Sequence, residues 1–323
     1  MLRCEPASCN ERGGANAYQS RSVDVENQMK ALPTRVSITE VGMRDGFQFE
    51  EKPIPTELKR EVLLGLVDAG VSRIQVTSFV HPRKVPQMAD AEALCAMLPS
   101  GDVVYSGLAL NARGVERAAA AGLGVVDLSI STNDRHSRDN ANLSHEEAVE
   151  EAERMIQLAL RLGMRPQLGL QCVFGYAAPG DTPIGRIEEL ARRYASLGIE
   201  SLSLADTTGM ANPALVGRVL DAVQAVTGGV PVVLHLHDTR GLGMANVYAA
   251  LEAGITRFDS SIGGLGGCPF IPGATGNIAT EDTVYLLESM GIATGIDRVK
   301  LGAITRRLEA FIGRLLPGKM HRL

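Results

Sequence analysis

A chain of 323 residues with a formal net charge of -5 and no block of lysine and arginine is poorly suited to nucleic acid, whose phosphates need clustered cations. Its 45% hydrophobic content is carried mainly by Ala, Val, Leu and Ile, with 4% aromatic residues and no tryptophan, and nowhere does it gather into a membrane span. The length suits one α/β barrel of about 250 residues with extensions, or two smaller domains.

The first thirty or so residues (MLRCEPASCNERGGANAYQSRSVDVENQMK) are polar, carry both charge signs and lack an apolar segment. Glu5, Glu11, Asp24 and Glu26 argue against a transit peptide, which is poor in acids. Residues 1–33 therefore read as a loosely ordered extension ahead of a single domain at 34–323. The cysteines Cys4, Cys9, Cys95, Cys172 and Cys268 are scattered and odd in number, without a C-x-x-C pair, which fits a reducing cytoplasm.

Short β-forming runs then recur at roughly thirty-residue intervals. In chain order they are VSITEV (36–41), RIQVTSF (73–79), VVYSGLAL (103–110), VVDLSIS (125–131), RPQLGLQCVF (165–174), ESLSLAD (200–206), PVVLHLH (231–237) and RFDSSIG (257–263). Between them lie segments of helical period such as TELKREVLLGLVDAG, SHEEAVEEAERMIQLALRLG and NPALVGRVLDAVQAV, several opened by Ser, Thr or Asn and closed by Gly. Eight strands alternating with helices predict a parallel sheet, and eight βα units favour a closed (β/α)8 TIM barrel over a doubly wound open sheet. Residues from Glu281 to about Leu316 read as closing C-terminal helices with a basic, frayed tail.

Functional groups of such barrels sit where strands end. Here the strand ends carry Arg44, Asp45, Gln75, Asp206, His235 and His237. In VVLHLHDTRG the two histidines are two positions apart, so they share one face of the strand. They are either a hydrogen-bonded core pair or two ligands of a metal. Asp45 ends the first strand, which barrel closure brings within one strand of the seventh. Two imidazoles and a carboxylate make a mixed nitrogen and oxygen site suited to Mg²⁺ or Mn²⁺, whereas a structural zinc site wants four closed ligands, usually with thiolates. Arg44 suits a developing oxyanion or a carboxylate, or else pairs with Glu40 or Asp45. Asp206 in LADTTG either caps the next helix or belongs to the site. The loop GGLGGCPFIPGATGN holds six glycines in fifteen residues and ends on Asn277. Its Cys268 is either a small buried hydrophobe or a working thiol.

The segments EVGMRDGFQFE, VTSFVHPRKVPQMAD, LADTTG, HLHDTRGLGMANVYAALEAGI and DSSIGGLGGCPFIPGATGNIATED together resemble the 3-hydroxy-3-methylglutaryl-CoA lyase family of TIM-barrel, metal-dependent carbon–carbon lyases. The likeness runs over roughly residues 35 to 315, and its most specific piece is GLGGCP followed by GATGN and ATED. The resemblance implies a divalent ion held by Asp45, His235, His237 and Asn277, and an acyl-CoA substrate contacted by Arg44, Gln75 and Asn277. It implies that Arg44 stabilises the enolate, that His235 and Asp45 help remove the C3 hydroxyl proton, and that Cys268 protonates the acetyl-CoA carbanion. Asp206 and Glu281 match site-region positions of the family. Cleavage of hydroxymethylglutaryl-CoA to acetyl-CoA and acetoacetate is the expected reaction, with citramalyl-CoA cleavage or a condensing synthase of the same superfamily as alternatives. No nucleic acid or membrane partner is expected, and a homo-oligomer stays open.

The chain also departs from the family pattern. Gln75 stands where a glutamate is usual, Phe47 and Phe49 replace an aliphatic and an amide, Tyr176 and Ala177 replace a cysteine-proline pair, and Arg135, His136 and Arg138 add charge after the fourth strand. These substitutions predict a pocket narrowed by rings and suited to compact, anionic acyl groups, with the two arginines meeting a carboxylate or the CoA phosphates.

Overall fold

The structure, a computed structural model, describes residues 31–267 and 275–323, so Cys268 and nearly all of the expected N-terminal extension lie outside the described residues. Eight parallel strands close on themselves in sequence order. They are β1 Ser37–Glu40, β2 Arg73–Ser78, β3 Val104–Leu108, β4 Val125–Ser131, β5 Arg165–Gln171, β6 Ser201–Ala205, β7 Val232–His235 and β8 Arg257–Ser260. The helices are α1 Thr56–Asp68, α2 Ala91–Cys95, α3 Ala112–Ala120, α4 Asp134–Ala141, α5 His145–Arg161, α6 Ile184–Ala195, α7 Pro213–Gln224, α8 Gly243–Glu252, α9 Thr280–Ser289 and α10 Arg298–Ile312. Among the described residues no helix is long and apolar enough to cross a membrane.

The alternation of the strands sorts their side chains into two environments. Ile74, Val76, Val126, Leu128, Ile130, Leu168, Leu170, Leu202, Leu204, Leu234 and Phe258 belong to the core between barrel and helices, none more than 5% exposed. They pack with helix residues such as Leu63, Leu66, Val115, Ile156, Ile187, Val219, Val247 and Val284. Burying each large aliphatic group contributes about 1.5–3 kcal/mol. The alternate positions, among them Gln75, Asp127, Ser129, Gln167, Gly169, Ser203, His235 and Asp259, face the barrel interior and line its cavity. This barrel therefore keeps its apolar core outside the strands and fills the inside with polar groups and space, in place of the branched aliphatic layers that commonly plug such barrels.

Local chemistry explains where elements begin and end. Ser144 and Glu147 form the capping box of α5, and Asn111, Asn133, Asn212 and Asp297 cap α3, α4, α7 and α10 with their side chains. Two expected boundaries are corrected. β5 ends at Gln171 instead of Phe174, because Cys172 takes a φ of 58°, a left-handed turn that no strand continues through. The C-terminal tail is not frayed: Met320–Arg322 forms a turn, His321 is fully buried, and Arg322 Nη1 donates to Glu309 Oε2 at 3.0 Å while Nη2 donates to the Gly318 carbonyl at 2.7 Å.

Closure of the barrel at the β1–β8 seam is tied by one carboxyl. Glu40 Oε1 accepts from the Gly42 N–H at 2.7 Å and the Ile262 N–H at 2.9 Å, and its Oε2 lies 2.5 Å from the Thr280 hydroxyl. Burial pushes the Glu40 carboxyl up to about 8, despite those donors. A raised acid holds its proton in the fold and releases it on unfolding, so its contribution to stability is full below its ordinary range and is lost as pH rises toward 8. Glu40→Gln is expected to flatten the decline of the melting temperature between pH 5 and pH 8, read by calorimetry across that range. An unchanged slope would show that Glu40 is ionised in the folded chain.

Candidate active site

At the C-terminal mouth of the barrel, β1 runs into a single π-helical turn, Gly42–Gly46, in which the Asp45 N–H donates to the Val41 carbonyl at 2.7 Å. Such turns re-aim side chains, and this one presents Arg44 and Asp45 to the interior. Across the seam, His235 ends β7, and His237 lies just beyond it in an antiparallel bridge with Asn277. The bridge exists because residues 276–278 run alongside 236–238: the Asp238 N–H donates to the Gly276 carbonyl at 2.8 Å and the Ile278 N–H to the Leu236 carbonyl at 3.0 Å. Asn277 is wedged there against Gly266, whose φ is 137° and whose Cβ, if it had one, would lie 2.5 Å from Asn277 Nδ2.

The ligand atoms of Asp45, His235 and His237 all fall within 4.8 Å of one another. His235 Nε2 lies 3.3 Å from His237 Nε2 and 3.6 Å from Asp45 Oδ2. His235 Nδ1 faces Asp259 Oδ2 at 3.3 Å, an arrangement that commits a proton to that nitrogen and turns the lone pair of Nε2 inward. Asn277 Nδ2 donates to Asp45 Oδ2 at 2.8 Å and to the Leu265 carbonyl at 3.0 Å, which leaves its buried Oδ1 without a hydrogen-bond partner. A carboxylate, two imidazole nitrogens and an orphaned amide oxygen are all acceptors, buried together, and such a set fits a hard or borderline divalent cation.

The electrostatics agree with that chemistry. Burial alone would raise the Asp45 carboxyl, yet Arg44, both imidazoles and Asn277 bring it down to about 2. Burial, reinforced by the neighbouring His235, pushes His237 down to about 3, so its ring is neutral as a ligand requires. His235 is shifted upward: burial works against its charge, but Asp259 and Asp45 outweigh it.

Arg44 is held on two sides. Its Nη1 donates to Asp45 Oδ1 at 2.5 Å, the pairing anticipated from adjacency, while Glu40 is engaged at the seam instead. Its Nε donates to Gln75 Oε1. Gln75 in turn donates from Nε2 to Asp127 Oδ2 at 2.6 Å, and Gln167 donates to the other Asp127 oxygen at 3.0 Å. Because a carboxylate accepts on both oxygens, Asp127 fixes which end of the Gln75 amide turns toward Arg44. A buried carboxyl group stands one hydrogen bond further in, at Asp127, where burial shifts it upward against the amide donors.

Not every expected site residue reaches the cavity. Asp206 does not line it: its Oδ1 accepts from the Met210 and Ala211 N–H groups at 2.7 and 3.0 Å, shaping the turn after β6, and burial pushes the carboxyl up to about 6. Glu281, fully buried at the start of α9, accepts from the Gly263 N–H at 2.9 Å and from the Thr305 hydroxyl, holding the turn after β8 from beneath. Burial raises it to about 7. Of the rings expected to narrow the pocket, only Phe49 lines it, beside Gly267; Phe47 is sealed in the core. Tyr176 packs edge-on against His136, with its hydroxyl 2.9 Å from Asp139. Arg135 and Arg138 do not line the cavity; both are exposed and form i,i+4 pairs with Asp139 and Asp134. The cavity is accordingly open, at about 380 Å³. Asp127, Gln167 and Asp259 are cavity residues that the motif reading did not single out.

The HMGL-like family model matches residues 35–308. The hydroxymethylglutaryl-CoA lyase YngG of Bacillus subtilis is 40% identical over 288 residues, covering 89% of this chain and 96% of that protein. The crystal structure of hydroxymethylglutaryl-CoA lyase from Pseudomonas aeruginosa superposes with a TM-score of 0.87 at 35% identity, covering 90% of this chain and 97% of that one. A structure of an HMG-CoA lyase from Acinetobacter baumannii in complex with coenzyme A and 3-methylmalate gives a TM-score of 0.84 at 36% identity, covering 90% of this chain and 95% of that one.

Proposed function

Because the chain belongs to the HMGL-like family and is a carbon–carbon lyase, we propose that its barrel mouth cleaves 3-hydroxy-3-methylglutaryl-CoA to acetyl-CoA and acetoacetate. The observation that carries this reading is the buried acceptor cluster of Asp45, His235, His237 and the spare Asn277 Oδ1, set directly beside the Arg44 guanidinium. These four residues would hold Mg²⁺ or Mn²⁺, and such an ion would supply Lewis acidity to the reacting end of the substrate.

The remaining chemistry belongs to side chains. Asp45, whose oxygens keep lone pairs beyond those given to Arg44 and Asn277, is placed to accept the C3 hydroxyl proton, with His235, steadied at Nδ1 by Asp259, beside it. As that proton leaves, C3 becomes a ketone, the bond between C2 and C3 breaks, and its electron pair passes to the thioester as an enolate. The Arg44 guanidinium, held in place by Gln75, faces that developing charge. A proton is then added to C2, a role that the family resemblance gives to Cys268. Asp206 and Glu281 are assigned supporting roles: each shapes a turn that carries site residues, without facing the substrate.

The test is product identification. Incubated with hydroxymethylglutaryl-CoA and Mg²⁺ or Mn²⁺, the protein is expected to release acetyl-CoA and acetoacetate in equal amounts, and a chelator is expected to stop it. Pyruvate from citramalyl-CoA, without acetoacetate from hydroxymethylglutaryl-CoA, would move the assignment to the shorter substrate.

A further inference from the structure

Below the four ligand candidates the cavity continues into the barrel, and its walls are layered by strand register. Asp127, Gln167 and Ser201 lie in one row across β4, β5 and β6. Ser129, Gly169, Ser203 and Val233 lie in the row above, across β4 to β7, and all four line the cavity together with Leu108. Ala205, His235 and Asp259 form part of the next row, at the level of the proposed cation site.

Gly169 is the unusual member. Its backbone is not in the left-handed region, and a Cβ there would meet nothing closer than the Leu128 carbonyl oxygen at 3.6 Å and Ser129 Oγ at 3.8 Å, ordinary contacts. A glycine inside a strand is destabilising relative to alanine, and neither conformation nor packing requires one here. Glycines of this kind mark places where a ligand approaches the backbone closely. With serines on both sides, it leaves a hollow beneath the reacting centre.

The cavity, of about 380 Å³ in all, extends from the mouth past the proposed cation site down to this row. Its polar floor is the Asp127 carboxylate with its two amide donors, and Asp259 stands at its upper edge. Arg44 stands at the mouth beside Asp45. An anionic group lowered to this floor would meet the Asp127 and Asp259 carboxyl groups instead, so the chemistry favours a neutral one.

We propose that the Ser129–Gly169–Ser203 row is an acyl pocket that admits 3-hydroxyacyl-CoA thioesters whose C3 substituent is uncharged and longer than methyl. The proposal rests on the lyase reading above and extends its substrate range. Two substrates test it: hydroxymethylglutaryl-CoA and its homologue with n-butyl in place of the C3 methyl. The wild type is expected to cleave the butyl homologue with kcat/KM within about tenfold of the methyl compound. Gly169→Leu is expected to lower the butyl-to-methyl ratio of kcat/KM by at least about a hundredfold, the scale on which a pocket filled by methylene groups discriminates. A wild type that disfavours the butyl homologue more than a hundredfold, or a variant that loses both substrates equally, would overturn the proposal.

A binding measurement keeps the question open to test if the leucine variant fails to fold or if no thioester is cleaved. Thioether analogues, with CH2 replacing the thioester carbonyl, cannot undergo the reaction. The wild type should bind the butyl and methyl thioethers with Kd values within about tenfold, and Gly169→Ala should weaken the butyl compound selectively by a few-fold. Selective binding without cleavage would retain the pocket and remove the lyase reading. Cleavage of hydroxymethylglutaryl-CoA with exclusion of both butyl compounds would do the reverse.

Discussion

His237→Ala is expected to abolish both stoichiometric binding of Mg²⁺ or Mn²⁺ and turnover, lowering kcat by about three orders of magnitude, as befits the loss of several kcal/mol of charge stabilisation. The reason is geometric. His237 Nε2 is 3.3 Å from His235 Nε2, and burial, with the neighbouring His235, pushes the ring down to about 3, so near neutral pH it contributes a lone pair and no charge. Asp45 and His235 remain in the variant, but two ligands and an amide oxygen hold a labile ion weakly. Equilibrium dialysis with atomic emission, beside a product assay, reads both effects. A variant that kept one ion per chain and its rate would remove His237 from the site.

The second large effect is at Arg44. Arg44→Gln is expected to reduce kcat about 10²- to 10³-fold while KM changes less than about threefold, because a donor aimed at charge that develops only during bond cleavage acts on the transition state. Arg44→Lys should recover only part of the loss, since an ammonium cannot serve Gln75 and Asp45 with one planar fork. Steady-state kinetics on both variants distinguishes this role from its competitor. A rise in KM at constant kcat would make Arg44 a clamp for the substrate carboxylate, and the enolate would then need another partner.

The fold was legible because strand periodicity and turn chemistry agree over most of the chain. All eight β runs contribute strands to the closed barrel, and α3, α4, α5 and α7 begin at Ser or Asn caps that the sequence displays. His235 and His237 were readable as neighbours because alternation alone puts them on one side. Local pattern does not supply contacts distant in sequence. Asn277 was named by the family resemblance alone, since it reaches His237 only where residues 276–278 run beside 236–238, which no local propensity announces. Cys172 ends its strand through a left-handed backbone that β-forming neighbours conceal.

The aromatic substitutions show a different failure. Phe47, Phe49 and Tyr176 flank site motifs, but proximity in sequence does not say which way a ring points. One is core, one sits at the rim, and one packs on His136. The useful signal lay elsewhere, in the strict alternation of Asp127, Ser129 and Ser131 and of Gln167, Gly169 and Gln171 with aliphatic residues. Two-faced strands in a barrel mean that the polar face looks inward. That pattern marks the interior as a cavity with a hydrogen-bonded floor.

A titration of metal-stripped protein with Mn²⁺ most directly tests the divalent ion proposed at Asp45, His235, His237 and Asn277. With hydroxymethylglutaryl-CoA present, the rate of acetyl-CoA release should rise from near zero and level off at one equivalent of Mn²⁺ per chain, in step with the bound ion observed by electron paramagnetic resonance. Release of acetyl-CoA at full rate from the stripped protein, or binding of Mn²⁺ with no gain in rate, would contradict it.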